Sequence, residues 1–149
     1  MSLSRALVGG VVLVVASLSL SACGSQSAST ALKSWAASAN LATNNAQLIA
    51  DARSALSVLR DAHAGAAQLH TVCAVLDVES LQAYAALPSP DDQTTHLLSR
   101  AYTALGDGAN ACFGAAHSSS KRRGAIAYLN RAGAAFSEAQ ARLSALGAA

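Results

Sequence analysis

The sequence predicts an all-α fold, an up-down bundle of about four helices with one disulfide, and three features predict it. About a quarter of the residues are alanine, the strongest helix former, whereas proline occurs only twice. Past residue 40, small and apolar residues recur at alternating steps of three and four, the spacing that lines one face of a helix. Two cysteines, Cys73 and Cys112, both fall on such faces. About 130 residues follow the N-terminal segment, so a single alanine-rich domain over 31–149 is expected.

In chain order, Leu41, Asn45, Leu48, Ala52, Ala55, Leu59 and Ala62 make one stripe, and Leu69, Cys73, Leu76, Ser80, Ala83 and Leu87 make another. Spacing alone leaves open whether these are one helix or two. A turn over Asp61-Ala62-His63-Ala64-Gly65 is favoured, because Gly65 costs a helix interior about 1 kcal/mol and an unbroken helix would outrun its partners. The amides of Thr43-Asn44-Asn45 can fray or cap the start of the first stripe. A third stripe runs through Thr94, Leu98, Ala101, Leu105, Gly108, Cys112 and Ala115. Ser89 is expected as its N-cap, Pro90 as its first residue, and Asp91 and Asp92 as complements to the positive helix end. Gly106 and Gly108 mark either a kink or a close helix contact. The fourth stripe, Ala125, Leu129, Ala132, Phe136, Ala139, Leu143 and Leu146, is expected to begin after the Ser118-Ser119-Ser120 cluster and to end at Gly147. Glu138 and Arg142 stand four apart on its outer side, in the order that favours a pair.

The many inward alanines imply helix axes nearer 8 Å than 10 Å apart, a core with little room except where Leu and Phe are too few. A Cys73–Cys112 bridge would close a loop of about 40 residues and stabilise by at most about 4 kcal/mol. Measured from a turn near Ser89, however, the two cysteines differ in axial position by roughly 12 Å, and a disulfide tolerates Cα atoms only up to about 6.8 Å apart. The hairpin must therefore be asymmetric. Pro88-Ser89-Pro90 supplies the means, since proline favours extended chain that can run along the bundle before turning.

Ahead of the helical body stand Met1-Ser2-Leu3-Ser4-Arg5, an uncharged apolar run over Ala6–Leu20, and then Ser21-Ala22-Cys23-Gly24. A positive start, an apolar middle and small residues before a cut are the parts of a signal peptide, here residues 1–22. Leu20-Ser21-Ala22-Cys23 resembles the lipobox of bacterial lipoproteins, in which the cysteine is lipidated and the chain is cut just before it. That resemblance implies lipidation of Cys23, a short lipidated tether over 23–30, and residence on the extracytoplasmic face of the cell membrane. The combination of lipobox, alanine-rich helical body and two later cysteines is also similar to small actinobacterial lipoproteins, a likeness that carries no activity with it.

Charge and motifs narrow the function classes. The chain has ten Lys and Arg against eight Asp and Glu, and loss of Arg5 with the signal leaves the two signs one apart, so no large field steers nucleic acid. His63, His70, His96 and His117 show no i,i+4 pairing, and His63 and His70, though on one face, lie about 10 Å apart, too far to share a zinc ion. Glu79 and Glu138 are the only glutamates, which excludes a di-iron bundle site and leaves no metal or cofactor expected. Serines fall in caps and tether, with no nucleophile elbow, so no catalytic residue is expected. Lys121-Arg122-Arg123 reads as a solvated loop, and Trp35 as a large residue closing one end of the bundle. The expectation is a non-catalytic structural or protein-interaction module of the cell envelope. The alternative is a small-molecule or lipid-binding lipoprotein, which requires an apolar cavity of at least about 300 Å³ between helices.

Overall fold

The steps of three and four become buried helix faces. The structure, a computed structural model, describes residues 27–149. These form α1 (Ala28–Ser38), α2 (Leu41–Arg60), α3 (Ala66–Ala85), α4 (Asp92–Phe113) and α5 (Ser119–Ala145), with no strand among the described residues. The expected signal peptide, Cys23 and the first residues of the expected tether lie outside the described residues. Leu48 and Leu59 of α2, Leu69 and Leu76 of α3, Leu98 and Leu105 of α4, and Leu129 and Leu143 of α5 meet in one core. Residues 61–65 form the expected break, and Ala62 is exposed because α2 has already ended at Arg60.

The helices number five rather than about four. α1 starts within the stretch expected to be tether: Ser27 caps it by accepting from the Thr30 amide at 3.3 Å. Leu32 and Ala36 of α1 are buried, with Trp35 partly buried beside them. The chain passes to α2 through Asn40, which adopts the left-handed conformation at φ 49°, while Asn44 Nδ2 donates to Ala39 O at 2.9 Å. Asparagine tolerates that backbone better than other non-glycine residues because its short amide bonds locally.

Neighbouring helices run antiparallel. Arg122 at the start of α5 reaches Leu59 and Asp61 at the end of α2. Asp91 before α4 pairs with Arg142 late in α5, and the His70 and Phe113 rings meet edge-on at 5.2 Å between α3 and α4. Each helix packs on the next, and α2 also touches α5, closing α2–α5 into a ring in which α4 makes the broadest contacts and the α2–α5 side the sparsest.

Cys73 and Cys112 are bonded, with Cα atoms 5.7 Å apart. Cys73 sits about 12 residues before the end of α3 and Cys112 about 20 after the start of α4, so α4 overhangs α3 by roughly 12 Å. Residues 86–91 cover this distance along the overhang, held where the Ser89 amide donates to Thr95 Oγ1 at 2.8 Å. Residues 87–89 are neither helix nor turn, and the Leu87–Pro88 peptide is cis. The N-cap of α4 is Asp91 rather than Ser89. Its carboxylate accepts from the Thr94 amide at 2.8 Å and the Thr94 hydroxyl at 2.7 Å, and a charged acceptor binds these donors more strongly than a serine hydroxyl would. Ser89 is turned to Thr95 and Asp91 O instead.

Glycine marks a close contact and not a kink: α4 is continuous through Gly108, where an added Cβ would lie 2.8 Å from Leu129 Cδ2 of α5. The end of α5 follows the expected pattern, with Gly147 at φ 65° and Ala148 N donating to Leu143 O at 2.8 Å.

Gly108→Ala gains about 1 kcal/mol of helix propensity but forces a methyl into a side chain that is itself fully packed, which costs about 1–3 kcal/mol. Urea midpoints should therefore show net destabilisation for Gly108→Ala and a gain of about 0.5–1 kcal/mol for Gly124→Ala, where nothing lies within 4 Å of an added Cβ. Reduction of Cys73–Cys112 should lower stability by up to about 4 kcal/mol, measured by denaturation with and without reductant.

Candidate functional site

Three features outside the close-packed core carry chemistry that packing does not explain: an apolar face on α3, a groove between α2 and α5, and an acidic cavity between α2 and α3.

The face on α3 arises because that helix is apolar nearly all round. Leu69, Cys73, Leu76 and Ser80 occupy its inner side, yet Val75, Val78, Leu81 and Tyr84 remain 41, 53, 65 and 49% exposed. At 100° per residue Val78 points directly away from the core, with Val75 and Leu81 on either side of it. The helix carries no Lys or Arg, and Asp77 is the carboxylate beside the strip, since Glu79 is turned into the cavity between α2 and α3. Scattered apolar residues on a surface are ordinary, but a run at successive steps of three on one helix is a contiguous strip.

The groove lies where the ring of helices is least tightly closed. Its volume is about 440 Å³, and Ile49, Leu56, Leu105, Leu129 and Phe136 line it. Small residues create the space: Ala52, Ala132 and Gly133 line it, and nothing lies within 4 Å of a Cβ added at Gly133. Arg53, Asn130, Ser137 and Gln140 are the polar residues of the lining. The groove exceeds the roughly 300 Å³ that a small-molecule site requires.

The acidic cavity holds about 160 Å³, lined by Asn44, Gln47, Glu79, Gln82 and Tyr102 among others. Glu79 Oε2 is buried without a hydrogen-bond partner. Burial, and next the Asp51 carboxylate across α2, raise the Glu79 pKa above its ordinary 4.5. Gln47 donates to Asp51 at 2.7 Å. The Tyr102 hydroxyl, pushed up to about 12 by burial, donates to Asn45 Oδ1 at 2.9 Å. The lining offers neither a nucleophile nor a cation, so the cavity can hold a shared proton or water but no assembled acid–base–nucleophile set.

Of the residues singled out in the sequence, Cys73 and Cys112 are brought together as a structural bridge, and Cys23 lies outside the described residues. The histidines are dispersed. Among the described residues, no three His, Cys, Asp or Glu side chains stand close enough to hold a metal ion. Trp35 packs against the core and its indole donates to Ala86 O at 3.2 Å, holding α1 across the end of α3.

Lys121-Arg122-Arg123 is not a loop but the first turn of α5, capped by Ser118. Arg122 donates to Leu59 O at 3.3 Å and Asp61 O at 2.8 Å, so its charge opposes its own helix dipole while complementing the end of α2. Glu138 and Arg142 do not pair with each other either. Glu138 accepts from Arg100 of α4 at 3.2 Å, and Arg142 donates to Asp91, the residue that caps α4, at 2.8 and 3.2 Å. The sequence reading missed the α3 strip and the groove. The signal for the strip was present: a helix apolar on every side either is buried on every side or has a further partner.

The two carboxylates make opposite contributions to pH dependence. The hydrogen bonds from Arg142, and then from Thr94, hold Asp91 well below the usual carboxylate range, so its stabilisation is present above its ordinary 3.8 and is lost as pH falls below that value. Glu79 is raised, so its destabilisation is absent in acid and grows as pH rises through and above 4.5. In urea titrations between pH 3 and pH 7, Asp91→Asn should be less stable than wild type at neutral pH, with the gap only beginning to narrow below 3.8. Glu79→Gln should be more stable at neutral pH and converge with wild type in acid. No family model, curated protein or solved structure matches the chain.

Proposed function

We propose that the chain is a lipoprotein anchored through Cys23 to the extracytoplasmic face of the membrane, where it serves as a non-catalytic protein-interaction module. The anchor rests on the sequence: a charged start, an apolar run, and Leu20-Ser21-Ala22-Cys23 at its end. No helix among the described residues is long and apolar enough to cross a membrane. Two acyl chains would supply stable attachment, each buried methylene contributing about 0.8 kcal/mol. The Cys73–Cys112 bridge is what an oxidising compartment outside the cytosol produces in a small domain.

The observation that carries the interaction reading is the α3 strip of Val75, Val78, Leu81 and Tyr84. Its occupant is a helix of another envelope protein, apolar on one face and edged with Lys or Arg. Charge makes the choice. A second copy of α3 would set Asp77 against its own counterpart with no cation on either helix to offset it, and anionic lipid would meet the same carboxylate.

Two experiments test the parts separately. Cys23→Ser should release the protein from the membrane fraction, and full retention would overturn the anchor. A photocrosslinker replacing Leu81, in cells, should yield one discrete adduct to another protein, mapping to a helix of that composition and lost with Val78→Asp. The same probe replacing Ser144 on α5 should yield no such adduct. A homodimeric or lipid adduct at position 81, or identical adducts from both positions, would overturn the assignment of α3.

A further inference from the structure

The groove between α2 and α5 is independent of the α3 strip, which lies on another helix. Its floor is apolar and well formed, with Leu105 and Leu129 fully buried and the Phe136 ring set edge-on to Tyr102 at 5.8 Å. Nothing in the fold fills it, because alanine and glycine occupy the positions where larger side chains would close the gap.

The polar residues at this groove are charged in one sense only. Arg53 is the single ionic side chain in the lining, beside the neutral Asn130, Ser137 and Gln140. The carboxylates nearest in sequence are engaged elsewhere: Asp51 accepts from Gln47 at 2.7 Å and faces Glu79, and Glu138 accepts from Arg100 at 3.2 Å on the α4 side. Among the described residues Arg53 pairs with no carboxylate. An apolar groove of about 440 Å³ beside one unneutralised guanidinium and several amide or hydroxyl groups fits a molecule with one apolar tail and one anionic head.

We propose that this groove binds a single-chain anionic amphiphile of the long-chain carboxylate class, its tail on Leu129, Phe136, Ile49 and Leu56 and its carboxylate at Arg53. The acyl chains of the protein's own anchor are not the occupant. They are esterified or amidated and would bring Arg53 no anion.

The test uses the full chain in its membrane and hexadecanoate carrying a photoreactive diazirine in its tail, with diazirine-hexadecanol as the neutral counterpart. Adducts mapped by peptide mass spectrometry should fall within residues 49–56 and 129–140 and should disappear under excess unlabelled hexadecanoate. Gly133→Leu is the decisive variant. Nothing lies within 4 Å of a Cβ at that position, so leucine can enter the groove without displacing the fold, and labelling there should drop at least tenfold with the urea midpoint retained or raised. Arg53→Gln should reduce labelling by the carboxylate several-fold and leave labelling by the alcohol unchanged, and Leu81→Asp should alter neither. Labelling that persists undiminished in Gly133→Leu, or that is spread evenly over the surface, overturns the site. Carboxylate labelling insensitive to Arg53→Gln overturns the assignment of the head group.

Discussion

The covalent bond between Cys73 and Cys112 sets the stagger of α3 against α4, and much of the architecture follows from that offset. Because α4 overhangs α3, the connection must run along the bundle before it can turn, and it delivers Asp91 to the tip of α4. There Asp91 does two things at once: it caps α4 through Thr94 and meets Arg142 of α5. The same connection exposes Ala86 O to the Trp35 indole, which seats α1 across that end of the bundle. A symmetric hairpin would bring neither Asp91 to Arg142 nor Ala86 to Trp35.

Alanine and glycine have two opposite consequences in one core. Where α4 meets α5, Gly108 lets the backbones approach, and Leu129 fills the space that a Cβ on Gly108 would need. α5 is thereby drawn to α4, reinforced by Arg100–Glu138 and Asp91–Arg142. α2, tied on the α5 side mainly through Arg122 at its end, stands off along its middle, where small residues fail to fill the gap. Dispersion falls steeply with separation, so the small side chains that tighten one contact leave a groove at the next.

The repeating positions were legible in the sequence because burial on a helix imposes a period, and every residue from Thr94 to Cys112 on the third stripe is buried as that period requires. α1 was harder to read, since its stripe of Ala28, Leu32, Trp35 and Ala39 is short and starts among the small polar residues expected to be tether. The partners of Arg122, Glu138 and Arg142 were not legible. Each chose an acceptor or donor on a neighbouring segment over a nearer one in sequence, and such choices depend on the stagger of helices, which spacing within a helix does not encode. The break at Gly65 and the stop at Gly147 were legible, because propensity and the left-handed backbone act locally. The α3 strip shows the converse failure. Its apolar residues were visible one by one, but whether such a helix is wrapped on all sides or left open depends on how many helices surround it.

Anchorage through Cys23, as proposed, changes what the α3 strip must achieve. A stable complex between freely diffusing proteins takes about 800 Å² per partner, more than one helix face offers. Full burial of a large apolar side chain contributes about 1.5–3 kcal/mol, and Val75, Val78 and Leu81 are already partly covered, so the strip alone would give weak binding in solution. Two partners tethered to one membrane have already lost most of their freedom to separate, and their effective concentration rises accordingly. α1 meets the bundle at the end formed by the last turns of α3 and α5, with Trp35 at Ala86 and Lys33 beside Gly147. The strip therefore begins near the entry of the chain, at Tyr84, and runs away from it toward Val75. A short apolar face is sufficient there because the anchor, and not the face, keeps the partners within reach.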